Sequence, residues 1–362
     1  MRYWKTIIIV TFTFMCTLAP ASGKDAEKKD TWGIVPMGAP FYTPDTSWGA
    51  GAYIVTYFLN DEDGVDKPDE ISVYGTYTLR NQVSVGIMPE IFFKRGLFKL
   101  SAQLEASRFP SSFWGVGPDT GDNEEEEYTP REVWTDTSFL LRVISDVYIG
   151  PLVHFKYSRL EKVEEEGLLA AGSIRGDDGT DVAGVGICLQ IDKRDSIFYT
   201  KRGFYISVKG SANRNEIGSE YDFFWSEMDV RLFFGIHGDH VLAIQAVSEL
   251  SSGAVPFQAM GGLGGNIIMR GMLQNRYLDR CSIEAQTEYR FPLYWRFAGV
   301  VFGSMGEVQP VIDDFNAGDI HTAWGGGLRF IVDSEQHIAV RLDVGTSEEG
   351  AINAYLLVKE AF

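Results

Sequence analysis

The sequence predicts an all-β protein: a transmembrane antiparallel β-barrel of about sixteen strands, with a long extracellular loop folded into the lumen. Three observations carry this reading. The chain opens with an export signal, and no later stretch approaches the ~18–20 uninterrupted apolar residues of a membrane helix. Segment after segment alternates apolar and polar residues with period two, the mark of a strand with two unlike faces. The connections between these segments alternate between short and long, as an up-and-down barrel requires. Aromatics make up 13% of the chain and glycines number 39, which suits strands that face lipid on one side. An open sheet edge is untenable in lipid, so the sheet must close on itself.

Residues 1–23 hold Arg2 and Lys5, an apolar run over 6–18 and the small-residue stretch Ala19-Pro20-Ala21-Ser22-Gly23, a secretory signal peptide. Cys16 belongs to its apolar part. Residues 24–47 read as a short periplasmic lead, too short for a domain, and 48–362 as the barrel domain. Strands are expected at 48–59, 71–80, 83–93, 97–107, 113–118, 133–144, 147–160, 182–192, 203–212, 221–234, 240–250, 279–291, 295–308, 323–332, 337–344 and 351–362. The short fifth strand, 113–118, is included because the two termini must lie on the same side.

The faces separate cleanly. Ala183, Val185, Ile187, Leu189 and Ile191 alternate with Gly184, Gly186, Cys188, Gln190 and Asp192; Ile338, Val340, Leu342 and Val344 alternate with Ala339, Arg341, Asp343 and Gly345. An exported chain of this kind turns its apolar faces to lipid and its polar faces to the lumen. The short connections 80–82, 145–146, 237–239 and 292–294 fit the periplasmic side. The long ones, 119–131, 161–179, 251–278 and 309–322, fit the outside. The glutamate run 124–127 reads as a solvated loop, with a divalent cation as the alternative ligand.

A net charge of −18, deepened when the leader takes Arg2 and Lys5 with it, argues against nucleic acid, whose phosphates dominate affinity. Cys188 and Cys281 survive processing on opposite strand faces, which disfavours a disulfide. The five histidines, His154, His237, His240, His321 and His337, sit beside no G-x-S-x-G elbow and in no H-E-x-x-H helix. His237 and His240 flank Asp239 in a tight turn, where solvation is the simpler reading than a metal. No catalytic site, cofactor or metal is expected.

The chain is organised around residues 260–292. Gly261, Gly262, Gly264 and Gly265 allow close backbone packing. Arg270 follows, between Met269 and Gly271-Met272. Beyond the loop Ser282, Glu284, Gln286, Glu288 and Arg290 share one face of a strand, and Cys281, Ile283, Ala285, Thr287, Tyr289 and Phe291 the other.

Three stretches resemble the bacterial surface antigen barrels, the superfamily of BamA and TamA. Asp192-Lys193-Arg194-Asp195 with Phe198-Tyr199-Thr200-Lys201-Arg202-Gly203 is similar to that family's D-T-R-D…F-x-P-T-R-G turn. Arg270-Gly271 resembles its R-G-F/Y loop tip, with Met272 in place of the aromatic. Phe302-Gly303-Ser304-Met305-Gly306 resembles F-x-D-x-G, with Ser304 in place of the acid. The resemblance implies that the Arg270–Gly271 tip is held in the lumen by strand acids. Glu288 matches the first of them, and Ser304 at the second leaves Glu288 to act alone or with Glu284. It also implies that the terminal Phe362 resembles an assembly signal for the outer-membrane machinery, although Glu360 breaks the apolar face.

Family members BamA and TamA carry POTRA domains before the barrel. With only residues 24–47 ahead of the first strand, a stand-alone barrel is expected here. The first functional reading is outer-membrane biogenesis, by protein insertion or translocation, in a Gram-negative-type outer membrane. Outer-membrane lipid, lipopolysaccharide and the assembly machinery are the expected partners. The alternative is a passive or gated pore for small solutes. An outer-membrane hydrolase lacks a nucleophile–base constellation.

Overall fold

The structure, a computed structural model, describes residues 32–58, 69–196, 199–333 and 338–362. The signal peptide, residues 24–31, Phe198 of the turn motif and His337 lie outside them. Sixteen strands among the described residues form one closed antiparallel ring: β1 (Trp32–Thr43), β2 (Ser47–Phe58), β3 (Asp69–Thr78), β4 (Val83–Phe93), β5 (Phe98–Arg108), β6 (Glu126–Ile144), β7 (Val147–Lys162), β8 (Thr180–Asp192), β9 (Gly203–Asn213), β10 (Phe223–Gly235), β11 (Val241–Gly253), β12 (Cys281–Pro292), β13 (Phe297–Gln309), β14 (His321–Asp333), β15 (Ile338–Ser347) and β16 (Ile352–Val358). Each pairs with its neighbours in sequence, and β1 meets β16 to close the ring. The alternation reads through to burial. Ile187 is 61% exposed on the outer face, whereas Glu288 on the inner face is fully buried. A protein in water does the reverse, so the outer belt is built for lipid.

Two expectations change. The stretch taken as a lead is a strand: β1 pairs with β2 along its whole length, from Trp32↔Phe58 to Thr43↔Ser47. Pro36 and Pro40 hide it, because proline cannot donate to a ladder and reads as non-strand. They are tolerated because β1 meets β16 at one register position, Tyr42↔Leu356. Conversely, the expected fifth strand is no barrel stave. Ser111–Phe113 folds onto the extended start of β6, and β5 pairs directly with β6 from Phe98↔Leu141 to Arg108↔Arg131. The two errors offset each other in the count.

They do not offset each other in topology. The 79–82 turn lies on the same end as the long connections 109–125, 163–179 and 254–280, three strands away from the 145–146 turn at the other end. Side-chain bonds agree: Gln82 donates to the carbonyls of Asp45 (3.0 Å) and Pro110 (2.9 Å), both at the long-loop end. The 145–146, 236–240 and 293–296 turns share the opposite end with the 193–202 connection.

At the long-loop end the lumen is stoppered by apolar side chains. Val182, Phe223, Trp225 and Val255 stand there in one buried cluster that runs down the inner wall to Leu152 and Leu140, and Phe113, Leu169, Phe257 and Leu278 form a second. The latter draws on three different loops, which Gly117 N–H helps to join by donating to Leu278 O at 2.9 Å.

Candidate functional site

The connection between β11 and β12 leaves the ring as a narrow hairpin, Gly261–Leu263 pairing with Tyr277–Asp279. Between these arms Leu263, Ile268, Met269, Met272 and Tyr277 bury one another with Val308 of β13. The two methionines beside Arg270 therefore pack the stem and leave the guanidinium to point away from it. Met269 and Gly271 both take positive φ, at 52° and 124°, so the tip turns sharply at the arginine.

Arg270 is fully buried against side chains from three strands. Its Nη2 donates to Glu288 Oε2 of β12 at 2.6 Å and its Nη1 to Asp343 Oδ2 of β15 at 2.7 Å, with both carboxylates at 0% side-chain exposure. Nη2 also reaches Gln286 Oε1 at 3.4 Å. The guanidinium carbon lies 3.7 Å from the ring centroid of Phe302 on β13, a cation–π contact made strong by desolvation. Its Nε finds no acceptor among the described residues. One planar fork thus bridges two acids three strands apart, a geometry that lysine cannot reproduce.

The acids are themselves held. Arg290 Nε donates to Glu288 Oε1 at 2.7 Å. Arg329 of β14 bonds Asp343 through Nη1 and Glu360 through Nε, the latter at 2.7 Å. Arg341 donates to Asp343 Oδ2 at 3.2 Å and to the carbonyl of Asn266 in the loop at 2.8 Å. Burying so many ions is tolerable only when each has a partner.

Backbone fit completes the site. Gly271 N–H donates to Tyr355 Oη (2.9 Å) and Gly271 O accepts from Asn353 Nδ2 (2.7 Å), both on β16. A Cβ on Gly271 would lie 2.6 Å from the Thr346 backbone, and one on Gly345 would lie 2.3 Å from Arg270 O. The tip therefore rests backbone against backbone on β15. Further along the loop, Gln274 N–H donates to Asp45 Oδ1 in the β1–β2 turn at 3.0 Å. Burial pushes the Asp45 carboxyl up, against the pull of that bond. Arg276 is tied to Asp122 at 2.6 Å and Glu349 at 3.3 Å, and the Tyr277 ring stacks on His321 with centroids 3.6 Å apart.

Of the residues expected here, Arg270, Gly271 and Glu288 come together. Ser304 does not join them: its hydroxyl donates to Ala323 O at 3.1 Å. Glu284 accepts from the loop backbone at Gly264 N (3.4 Å) and leaves the arginine to others. The second acid is Asp343. It stood in the sequence on the inner face of its strand, but nothing local ties β15 to a loop 73 residues away. Phe362 also differs from expectation. Lys359 takes φ 70°, so the chain leaves the strand and turns inward. Glu360 then meets Arg329 instead of lipid, and Phe362 packs near Phe233 (6.0 Å between centroids) while its carbonyl accepts from Arg290 at 3.0 Å. Cys188 and Cys281 are free and buried. The glutamate run contributes Glu126 to a loop contact, its Oε1 accepting from Leu169 N–H at 3.0 Å.

No protein-family model and no curated protein sequence matches the chain. Solved structures do match its fold. BamA from Haemophilus ducreyi, in a crystal structure lacking POTRA domains 1–3, superposes with a TM-score of 0.61 at 11% identity, over 92% of this chain and 70% of that one. CdiB from Escherichia coli gives 0.58 at 12% identity, and CdiB from Acinetobacter baumannii 0.56 at 10%. The chain spans 63% and 59% of those two. At such identities the likeness is one of fold: this chain is a closed sixteen-stranded barrel of the kind seen in BamA and CdiB.

Proposed function

We propose that the protein is an outer-membrane barrel of a Gram-negative-type bacterium acting in outer-membrane biogenesis, by protein insertion or translocation. In this reading the 254–280 loop folds into the lumen as a clasp on the seam between β1 and β16. One observation carries it. The ring's own closure has the single register pair Tyr42↔Leu356, whereas the loop holds β16 through Asn353 and Tyr355 and the β1–β2 turn through Asp45. A seam with few ladder bonds is the place where a barrel can open at least cost, because each unpaired backbone group in lipid costs several kcal/mol. The ion cluster fixes the clasp from the far side.

Lipid and lipopolysaccharide around the apolar belt, and the assembly machinery during the protein's own insertion, are the partners this reading requires. If Phe362 serves as an assembly signal, it does so before closure, since folding turns it inward. The test is depletion of the protein in cells: levels of other outer-membrane barrels should fall. Unchanged levels would sink the biogenesis reading. The pore alternative draws support from the polar cavity within the ring, which opens at the short-turn end. Planar-bilayer recording separates the two, as a clasped lumen gives small, flickering currents and a pore gives steady ones.

A further inference from the structure

The lumen beside β2–β10 holds a cavity of about 700 Å³, within the size range of small-molecule pockets. Its lining reaches Glu90, whose side chain is 42% exposed, and Asp195, both at the short-turn end. The other end is covered by the apolar cluster of Val182, Phe223, Trp225 and Val255. The cavity is therefore blind, open on one side only, and its wall is strands and the 193–196 stretch without any part of the Arg270 loop.

We propose that this blind pocket binds a neutral oligosaccharide. The cations on its wall are already paired, Lys209 with Glu227 at 3.0 Å among them, and Asp195 accepts from the backbone N–H groups of Lys201 and Arg202. Lys99 meets Glu90 at 2.9 Å and Gln190 at 2.6 Å. Arg194 forks onto Asp192 at 3.0 and 3.1 Å, and Arg231 onto Asp229 at 2.9 and 2.6 Å. A free anion would have to displace a charge-assisted, bidentate partner. What remains for a ligand is directional hydrogen bonding: the second guanidinium nitrogens of Arg194 and Arg231, and the hydroxyls and amide of Ser101, Ser138 and Gln103. Sugar hydroxyls, which donate and accept at once, match such a mixed wall.

Both guanidinium groups lie over the Tyr205 ring, at 4.9 and 5.3 Å, and Gln190 Nε2 donates to the Tyr205 hydroxyl at 2.9 Å. These contacts hold the donors rigid before a ligand arrives, which lowers the entropy cost of binding. A peptide fits less well. The aliphatic lining is Met88, Pro89, Ala102 and Leu140, a scatter of small patches without the contiguous apolar groove that peptide side chains need.

The experiment is titration calorimetry of the folded full chain in lauryldimethylamine-oxide micelles, which carry no sugar, with chitotriose and maltotriose as probes. Saturable binding of at least one is expected. Ser101→Trp, which puts an indole into the pocket, should weaken it by about tenfold or more, while Leu104→Trp on the outer face should not. If Ser101→Trp fails to give the heat-resistant form, Gln103→Ala serves in its place, with a smaller loss. The proposal is overturned by wild-type barrel that binds neither sugar, or by binding that both pocket variants leave intact. Binding of inorganic phosphate or tetra-alanine in place of the sugars, with the same sensitivity to Ser101→Trp, also overturns it and assigns the pocket to anions or peptides. None of these readings depends on whether the protein acts in biogenesis.

Discussion

The inner faces of β12–β16 and of β3–β10 enclose one lumen and handle charge in opposite ways. In the first region ions from separated strands meet in the dry interior, with Arg270, Glu288 and Asp343 all at 0% side-chain exposure. In the second the pairs stay part-exposed: Arg231 with Asp229, Lys209 with Glu227 across β9 and β10, and Lys99 with a Glu90 that faces the cavity at 42% side-chain exposure. A dry pair fixes the position of the strands that supply it. A part-exposed pair at the wall holds its partners more weakly and leaves space beside it in the lumen. A polar thread connects the two regions, from Arg270 through Gln286 and Gln245 to Asp229 and so to Arg231.

The largest expected effect lies in the first region. Arg270→Ala should cost ~3–5 kcal/mol, because it leaves two buried carboxylates without their shared partner. Lys99→Ala, next to a hydrated Glu90, should cost about 1 kcal/mol or less. Denaturant unfolding of the purified barrel compares them, and equal costs would erase the distinction between the regions. Protease access to the 254–280 loop should rise in Arg270→Ala and in Glu288→Ala, and the double mutant should show less than the sum of the two. Strict additivity would mean that the two side chains do not act as a pair.

Facing is the next contrast. Ile187→Arg or Val340→Arg, on the lipid side, should cost ~2–4 kcal/mol near the bilayer midplane, and Gln190→Arg on the lumenal side much less. The heat-resistant band on a gel reads both. A smaller effect tests the close packing of the tip. Gly345→Ala drives a methyl into Arg270 O and should cost ~1–3 kcal/mol as overpacking does, while Gly303→Ala, with nothing within 4 Å of its Cβ, should be close to neutral.

The smallest effect is in pH. Burial pushes the Glu348 carboxyl up, but bonds from Thr322 N–H, its own backbone N–H and His321 outweigh it and hold the group below the usual carboxylate range. A depressed carboxyl stabilises the fold above its unfolded value and loses that contribution as pH falls through the folded one. Acidification should therefore loosen the β15–β16 turn, seen as faster amide exchange at Thr322, and Glu348→Gln should remove that pH dependence. Exchange that is equally pH-dependent in the variant would place its cause elsewhere.

Alternation marked the strands, because a period of two is a local property that any few residues display; with the export signal and the alternating connection lengths it determined the fold class and the facing of most strands. Arg270, Gly271 and Glu288 were legible for a related reason: dense glycines mark a loop that must pack closely, and Glu288 lies on the polar side of its own strand. The seam strand was not legible, since Pro36 and Pro40 argue against a strand unless one knows that its far edge carries almost no ladder. Asp343 was visible as an inward acid, but its role depends on ring curvature, which brings β15 round to the loop tip. The inward turn of Glu360 was hidden as well. It follows from Lys359 adopting positive φ, and only the buried Arg329 waiting on β14 makes that turn favourable.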